Sequence, residues 1–205
     1  LGTENRATLS YYFIKSNDEP DSGIPFNNPN NPPPGSIKAD GRPANVKQGS
    51  YYGWKDRDFD KRENHIGSLK LEHDFNDDLT VSNTATYSHS KASYMYTNPD
   101  DSKSNIYKGK VYRRATQTIR DTDAFTDQLS LVGKFKTGAL AHSFNVGAEY
   151  NREETNRGNY NISYPGYTGT TTAGFNDKCN DNNGWCTDLN NPSPNDPWLG
   201  TLTPN

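Results

Sequence analysis

Residues able to do chemistry are few in this chain, and their spacing argues against catalysis. The four histidines, His65, His73, His89 and His142, are scattered. His73 and Asp74 are neighbours, but adjacent residues of a strand point to opposite faces and cannot work as a pair from one strand. The sequence contains no G-x-S-x-G elbow, no H-E-x-x-H metal motif and no Gly-rich phosphate loop. The run Asn180-Asp181-Asn182-Asn183-Gly184 suggests a calcium loop until it is counted back from Gly184, which puts Cys179 where that motif requires Asp. No catalytic residue, metal ligand set or cofactor site is therefore expected. The two cysteines, Cys179 and Cys186, are close together in a stretch rich in Pro, Asn and Asp. They read as a local disulfide in an oxidising compartment, with a pair of reduced surface thiols as the alternative.

The elements that must position these residues announce themselves by a period of two. Odd positions Ala7, Leu9, Tyr11 and Phe13 alternate with Thr8, Ser10 and Tyr12. Gly67, Leu69, Leu71, His73 and Phe75 oppose Ser68, Lys70, Glu72 and Asp74. Leu79, Val81, Ala85 and Tyr87 alternate with Thr and Ser, broken only by Asn83. Phe125, Leu129, Leu131 and Phe135 oppose Gln128, Ser130 and Lys134, with Asp127 and Val132 out of phase. Finally, Phe144, Val146, Ala148 and Tyr150 oppose Ser143, Asn145, Glu149 and Asn151. Five strands are predicted, near 5–16, 64–75, 79–91, 121–135 and 141–154, each with one apolar and one polar face.

Composition says what those faces meet. Of 205 residues only 30% are hydrophobic, and mean hydropathy is −1.07, too little apolar material for an ordinary core. Aromatics at 12% argue against disorder. A net charge of −3 gives no reason to expect nucleic acid as a partner. The connections alternate in length. Short turns, Asn76-Asp77-Asp78 and Lys136-Thr137-Gly138-Ala139, lie between strands two and three and between four and five. Long segments occupy 17–63, 92–120 and 155–205. All long loops thus emerge at one end of an antiparallel meander. That asymmetry, on strands polar on one side and apolar on the other, is the pattern of an outer-membrane β-barrel. Every backbone polar group must be paired in hydrocarbon, so the wall closes while the lumen stays wet. Tyr11 and Phe13 near the long loops, and Phe75, Phe135 and Phe144 near the short turns, fit interfacial girdles. A porin or adhesin barrel shares the pattern, as does a soluble secreted β-module that buries one face and binds glycan.

Particular segments resemble the TonB-dependent siderophore receptors. Ala7-Thr8-Leu9-Ser10-Tyr11-Tyr12 leading to Asp21-Ser22-Gly23-Ile24-Pro25 is similar to a strand and loop of that family. So are the strand–turn–strand units Leu69 to Thr80 and Leu131 to Gly138, the latter continuing through His142 to Gly147-Ala148-Glu149-Tyr150. The resemblance covers about residues 5 to 155 and is nearest the catecholate and hydroxamate types. It implies a sector of a 22-stranded outer-membrane barrel, with long extracellular loops and short periplasmic turns. It also implies a plug domain, absent from these residues, through which the TonB–ExbB–ExbD complex would act. The implied ligand is a ferric siderophore, bulky and often anionic, which calls for aromatic walls and charge-assisted donors. Tyr51, Tyr52, Trp54, Lys55 and Arg57 supply these in the first long loop. Tyr94, Tyr96, Tyr107, Tyr112, Arg113, Arg114 and Arg120 do so in the second, and Tyr160, Tyr164 and Tyr167 in the third. Trp54, Tyr112, Arg113 and Arg114 are the foremost candidates for ligand contact. The alternatives are that the aromatics pack the loops together, and that the basic residues pair with Asp or bind lipopolysaccharide phosphates.

Overall fold

The structure is a computed structural model that describes residues 3–27, 40–99, 106–107 (backbone only), 109–164 and 185–205. No helix occurs among them. In chain order the strands are β1 (Asn5–Asp18), β2 (Phe59–Asn76), β3 (Leu79–Asn98), β4 (Ile106–Tyr107), β5 (Lys110–Tyr112), β6 (Arg114–Thr137), β7 (Leu140–Gly158), β8 (Tyr160–Ser163), β9 (Cys186–Asp188) and β10 (Thr201–Pro204). Two compact units divide the chain. The first comprises Leu1–Lys15, Arg62–Lys91 and Arg120–Arg157; the second comprises Ser16–Lys61, Ala92–Ile119 and Gly158–Asn205.

Five long strands form one antiparallel sheet in the order β1-β2-β3-β6-β7. Both short turns have two residues, Asp77-Asp78 and Gly138-Ala139. Each is built from its sequence. The Asn76 side chain accepts from the Asp78 N–H at 2.9 Å, an Asx arrangement that closes the chain locally, and Gly138 takes φ 61°, which a side chain would resist.

Within the first unit the apolar parity stays uncovered. Leu69, Leu71 and Leu129 are 41%, 47% and 49% exposed, and Phe75, Phe135, Val146 and Tyr150 more so. A soluble two-layer domain would bury these side chains, so that reading fails. The opposite face is tied by cross-strand polar pairs: Ser10 with Ser68 at 2.6 Å, Gln128 donating to Glu149 at 2.6 Å, and Ser130 donating to Asn145 at 3.0 Å. The two polar residues that interrupt the apolar parity satisfy one another, Asn83 Nδ2 donating to Asp127 Oδ1 at 2.5 Å. Three of the four histidines pack against phenylalanine rings. His142 stacks on Phe135 at 4.7 Å and His73 meets Phe75 edge-on at 4.6 Å, while Phe13 contacts His65 at 4.7 Å.

The strands run further into the long connections than their alternation predicts. β6 begins at Arg114 rather than 121, β3 continues to Asn98 rather than 91, and β2 starts at Phe59 rather than 64. About 10 residues suffice to cross the hydrocarbon, so the excess lies where neither face need be apolar. Pairing persists there while the hydrophobic period vanishes.

The second unit contains two small sheets. β4, β5 and β9 form one, with Lys110, Val111 and Tyr112 opposite Asp188, Thr187 and Cys186. β8 and β10 form the other, Tyr160 opposite Pro204 and Ser163 opposite Thr201. The pairing continues through reciprocal backbone bonds between Asn159 and Asn205 at 3.0 and 2.8 Å.

Candidate functional site

The buried core of the second unit is aromatic. Trp54, Tyr112, Tyr164 and Trp185 form it, with Ile162, Cys186 and Trp198 packed against them. Trp54 is the centre. Its ring meets Trp198 at 5.0 Å and Trp185 at 5.8 Å, both edge-on, and Tyr164 at 6.4 Å. Edge-to-face packing is the favoured geometry of such rings. The indole is also bracketed by cations, with the Arg57 and Arg113 guanidinium carbons 5.1 and 5.0 Å from its centroid, inside cation–π range.

A tight turn sets this geometry. The Arg57 and Asp58 N–H groups both donate to the Trp54 carbonyl, at 2.9 and 2.7 Å, while the Trp54 N–H donates to Asp58 Oδ2 at 3.0 Å. The Trp54 indole N–H then reaches the Asp196 carbonyl at 2.5 Å. Lys55 N–H donates to the Pro194 carbonyl at 3.0 Å and Arg113 N–H to the Trp185 carbonyl at 2.9 Å. Tyr52 donates its hydroxyl proton to the Leu189 carbonyl at 2.5 Å. Three loops far apart in sequence are joined by these bonds.

Electrostatics follow burial. Desolvation lowers the affinity of the Arg113 guanidinium for its proton, opposed by Asp196, to which Arg113 donates at 2.5 Å. Burial raises the Tyr51 hydroxyl well above its ordinary value, reinforced by the charges of Asp58, Glu19 and Asp21. Tyr52 and Tyr164 are also raised, chiefly by burial. Beside this core lies an open hollow of about 430 Å³, lined by Asn17, Asp18, Glu19, Lys55, Asp56, Arg57, Asp58, Phe59 and Lys61.

The structure brings together three of the four foremost candidates and places them inside. Trp54 and Arg113 are fully buried and Tyr112 nearly so; Arg114, at the start of β6, is half-buried. Trp54, Tyr112 and Arg113 are buried where the loops pack together. Cys186 is disulfide-bonded. Cys179 lies outside the described residues, as do Tyr167 and Asn180 to Gly184. Sequence reasoning missed Asp58, Asp196 and Trp198. A signal was available: all three tryptophans fall outside the predicted strands, although a barrel girdle would hold them at strand ends.

In the first unit, His89, Asp121 and Asp123 bring ligand-type atoms within 4.8 Å of one another. Local pairing accounts for the group. His89 Nδ1 lies 2.9 Å from Asp123 and 3.5 Å from Asp121, and Tyr87 donates its hydroxyl proton to Asp123.

No family model matches the chain. Whole proteins do. Over 195 residues, 94% of the chain, it is 53% identical to the probable TonB-dependent siderophore receptor PiuA of Acinetobacter baumannii, covering 25% of that protein. The catecholate siderophore receptor Fiu of Escherichia coli is 30% identical over 175 residues, 80% of the chain and 23% of Fiu. Among solved structures, the siderophore receptor PiuA from A. baumannii superposes with TM-score 0.82 at 52% identity over 100% of the chain and 28% of its own. The ferric-catecholate import receptor Fiu from E. coli, open form, gives 0.73 at 25% identity over 99% of the chain and 29% of its own. The chain spans about a quarter of the length of these relatives. With its long five-stranded sheet uncovered on the apolar side, its alternating turns and this likeness, the chain belongs to the TonB-dependent siderophore receptors, β-barrels of the bacterial outer membrane.

Proposed function

We propose that this chain supplies barrel wall and surface loops to a receptor that binds a ferric siderophore outside the cell and imports it across the outer membrane. Energy would reach it from TonB–ExbB–ExbD through a plug domain, and the loops would lie on the extracellular side, the turns on the periplasmic side. The observation that carries the proposal is the 53% identity across nearly the whole chain to a probable siderophore receptor. The loop cluster supports it, since aromatic rings and guanidinium groups suit a bulky anionic complex. The likeness to Fiu favours a catecholate siderophore over a hydroxamate. Transport, not catalysis, is the proposed activity.

Trp54, Tyr112 and Arg113 serve recognition from beneath, by shaping the loops, while Arg114 and the rim of the hollow at Lys55 and Lys61 reach the ligand. A disulfide between Cys179 and Cys186 would close a small ring in the third loop and keep it compact outside the cell. Arg and Lys side chains beyond the apolar band would meet lipopolysaccharide phosphates.

The test is uptake of iron-55 presented as a ferric catecholate by a strain that lacks the full-length receptor, complemented with wild type or with residues 50–58 replaced by a Gly/Ser linker. Wild type restores uptake and the loop variant loses most of it; equal uptake by both would refute the role of this loop.

A further inference from the structure

We infer that Arg57 and Asp58 are positioning residues: with the buried Arg113 and the partly exposed Asp196 they form one charged chain that holds three loops in a single register, so that the binding surface exists before ligand arrives. The inference rests on the receptor reading above and names the device behind its recognition surface.

Asp58 is the hub. Its Oδ2 accepts from the Trp54 N–H at 3.0 Å, the Thr97 N–H at 2.9 Å and the Thr97 hydroxyl at 2.7 Å, while Oδ1 accepts from Arg57 Nε at 2.8 Å. Arg57 carries the chain onward. Its Nη2 donates to the Thr97 hydroxyl oxygen at 2.7 Å and its Nη1 to the Arg113 carbonyl at 3.0 Å. Arg113 completes the span, Nη2 donating to the Ser193 carbonyl at 2.7 Å and to Asp196 Oδ2 at 2.5 Å. The side chains of Arg57, Asp58 and Arg113 are wholly out of solvent. The remaining Arg113 donors, Nε and Nη1, have no hydrogen-bond partner among the described residues, and the Arg113 guanidinium lies over the Trp54 ring.

Stability alone does not call for such an arrangement. Taking charges out of water costs about as much as their attraction returns, and a well-packed apolar replacement is often as stable or more so. Apolar packing is also non-directional, so the tryptophan cluster by itself tolerates several registers of the three loops. The charged chain does not. Arg57 Nη1, Arg57 Nη2 and Arg113 Nη2 each find acceptors on a different segment, and a slip of one residue in any segment would take an acceptor away from a buried guanidinium donor. Directional hydrogen bonds between buried groups fit one arrangement of the segments that carry them. Here that arrangement joins 54–58, 97, 113 and 193–196.

The experiment uses the full-length receptor in detergent, as wild type, Asp58→Asn, and the apolar pair Arg57→Met/Asp58→Leu. Amide hydrogen exchange is followed at Lys55 and Arg113, whose N–H groups bond to the Pro194 and Trp185 carbonyls on another loop. Affinity for the iron(III) tris-catecholate complex is measured in parallel. Both variants are expected to speed exchange at Lys55 and Arg113 by about tenfold or more and to weaken binding by about tenfold, with strand amides of β6 and of residues 62–76 and 79–91 unchanged. Exchange altered only at Trp54 and Thr97, which touch the replaced carboxylate, would overturn the inference, as would an apolar pair that exchanges and binds like wild type. Should a variant fail to insert, Arg57→Lys keeps the charge and loses the fork, and the same loosening is expected from it. A wild-type receptor that ignores the iron complex would count against the receptor reading, while the exchange result would still decide the positioning role.

Discussion

Arg113 shows how far a side chain's address can change its meaning. In sequence it is a surface cation beside a tyrosine in a long loop; in the structure it is 0% exposed, with one terminal nitrogen committed to two acceptors and its plane over an indole. The Asn83–Asp127 pair is a second case. Each residue alone breaks the apolar rhythm of its strand, and together they close a polar contact on that face. Removing one member leaves the other without its partner, which costs roughly 1–3 kcal/mol, whereas replacing both by apolar groups is nearly neutral. Asp127→Leu is therefore expected to lower the thermal transition of the full-length receptor in detergent, and Asn83→Leu/Asp127→Leu to restore it. Equal destabilisation by the single and the double variant would show that the pair is not coupled.

At the scale of strands and turns, one glycine reveals how the wall is sealed. A Cβ on Gly133 would sit 2.4 Å from the Phe144 ring and 3.0 Å from Leu79, so the phenyl group of β7 lies over the bare backbone of β6. Gly133→Val is expected to displace that ring and cost about 1–3 kcal/mol by overpacking, read as a lower urea midpoint of the full-length receptor. An unchanged midpoint would mean that Phe144 moves aside freely. The strand cores were legible in sequence because lipid on one side and water on the other impose a strict period of two. Leu69, Leu71 and Val81 declare it, as do the turn residues Asn76 and Gly138. The outer ends of β3 and β6 were not legible, since residues such as Arg114 and Thr118 sit in strands that need no apolar face. The loop core was illegible for a different reason. Trp54 meets Trp198 and Arg57 meets Thr97 across gaps in sequence that no local pattern spans.

For the molecule as a whole, the five-stranded sheet has β1 and β7 at its edges, and such edges are templates for pairing with another chain. In hydrocarbon they would leave backbone groups unpaired. The 205 residues refolded on their own in detergent are thus expected to associate with rising concentration, whereas the full-length receptor stays monodisperse. Light scattering decides between these, and a stable monomer of the isolated chain would show that the edges are capped within it. The tryptophans carry a final consequence. All three lie within one cluster, their rings 5.0 to 5.8 Å apart, and the sheet strands contain none. Near-ultraviolet emission excited at the indole band therefore reports from this stretch on the loops alone, with energy migrating among neighbouring rings, and the five long strands add no indole signal.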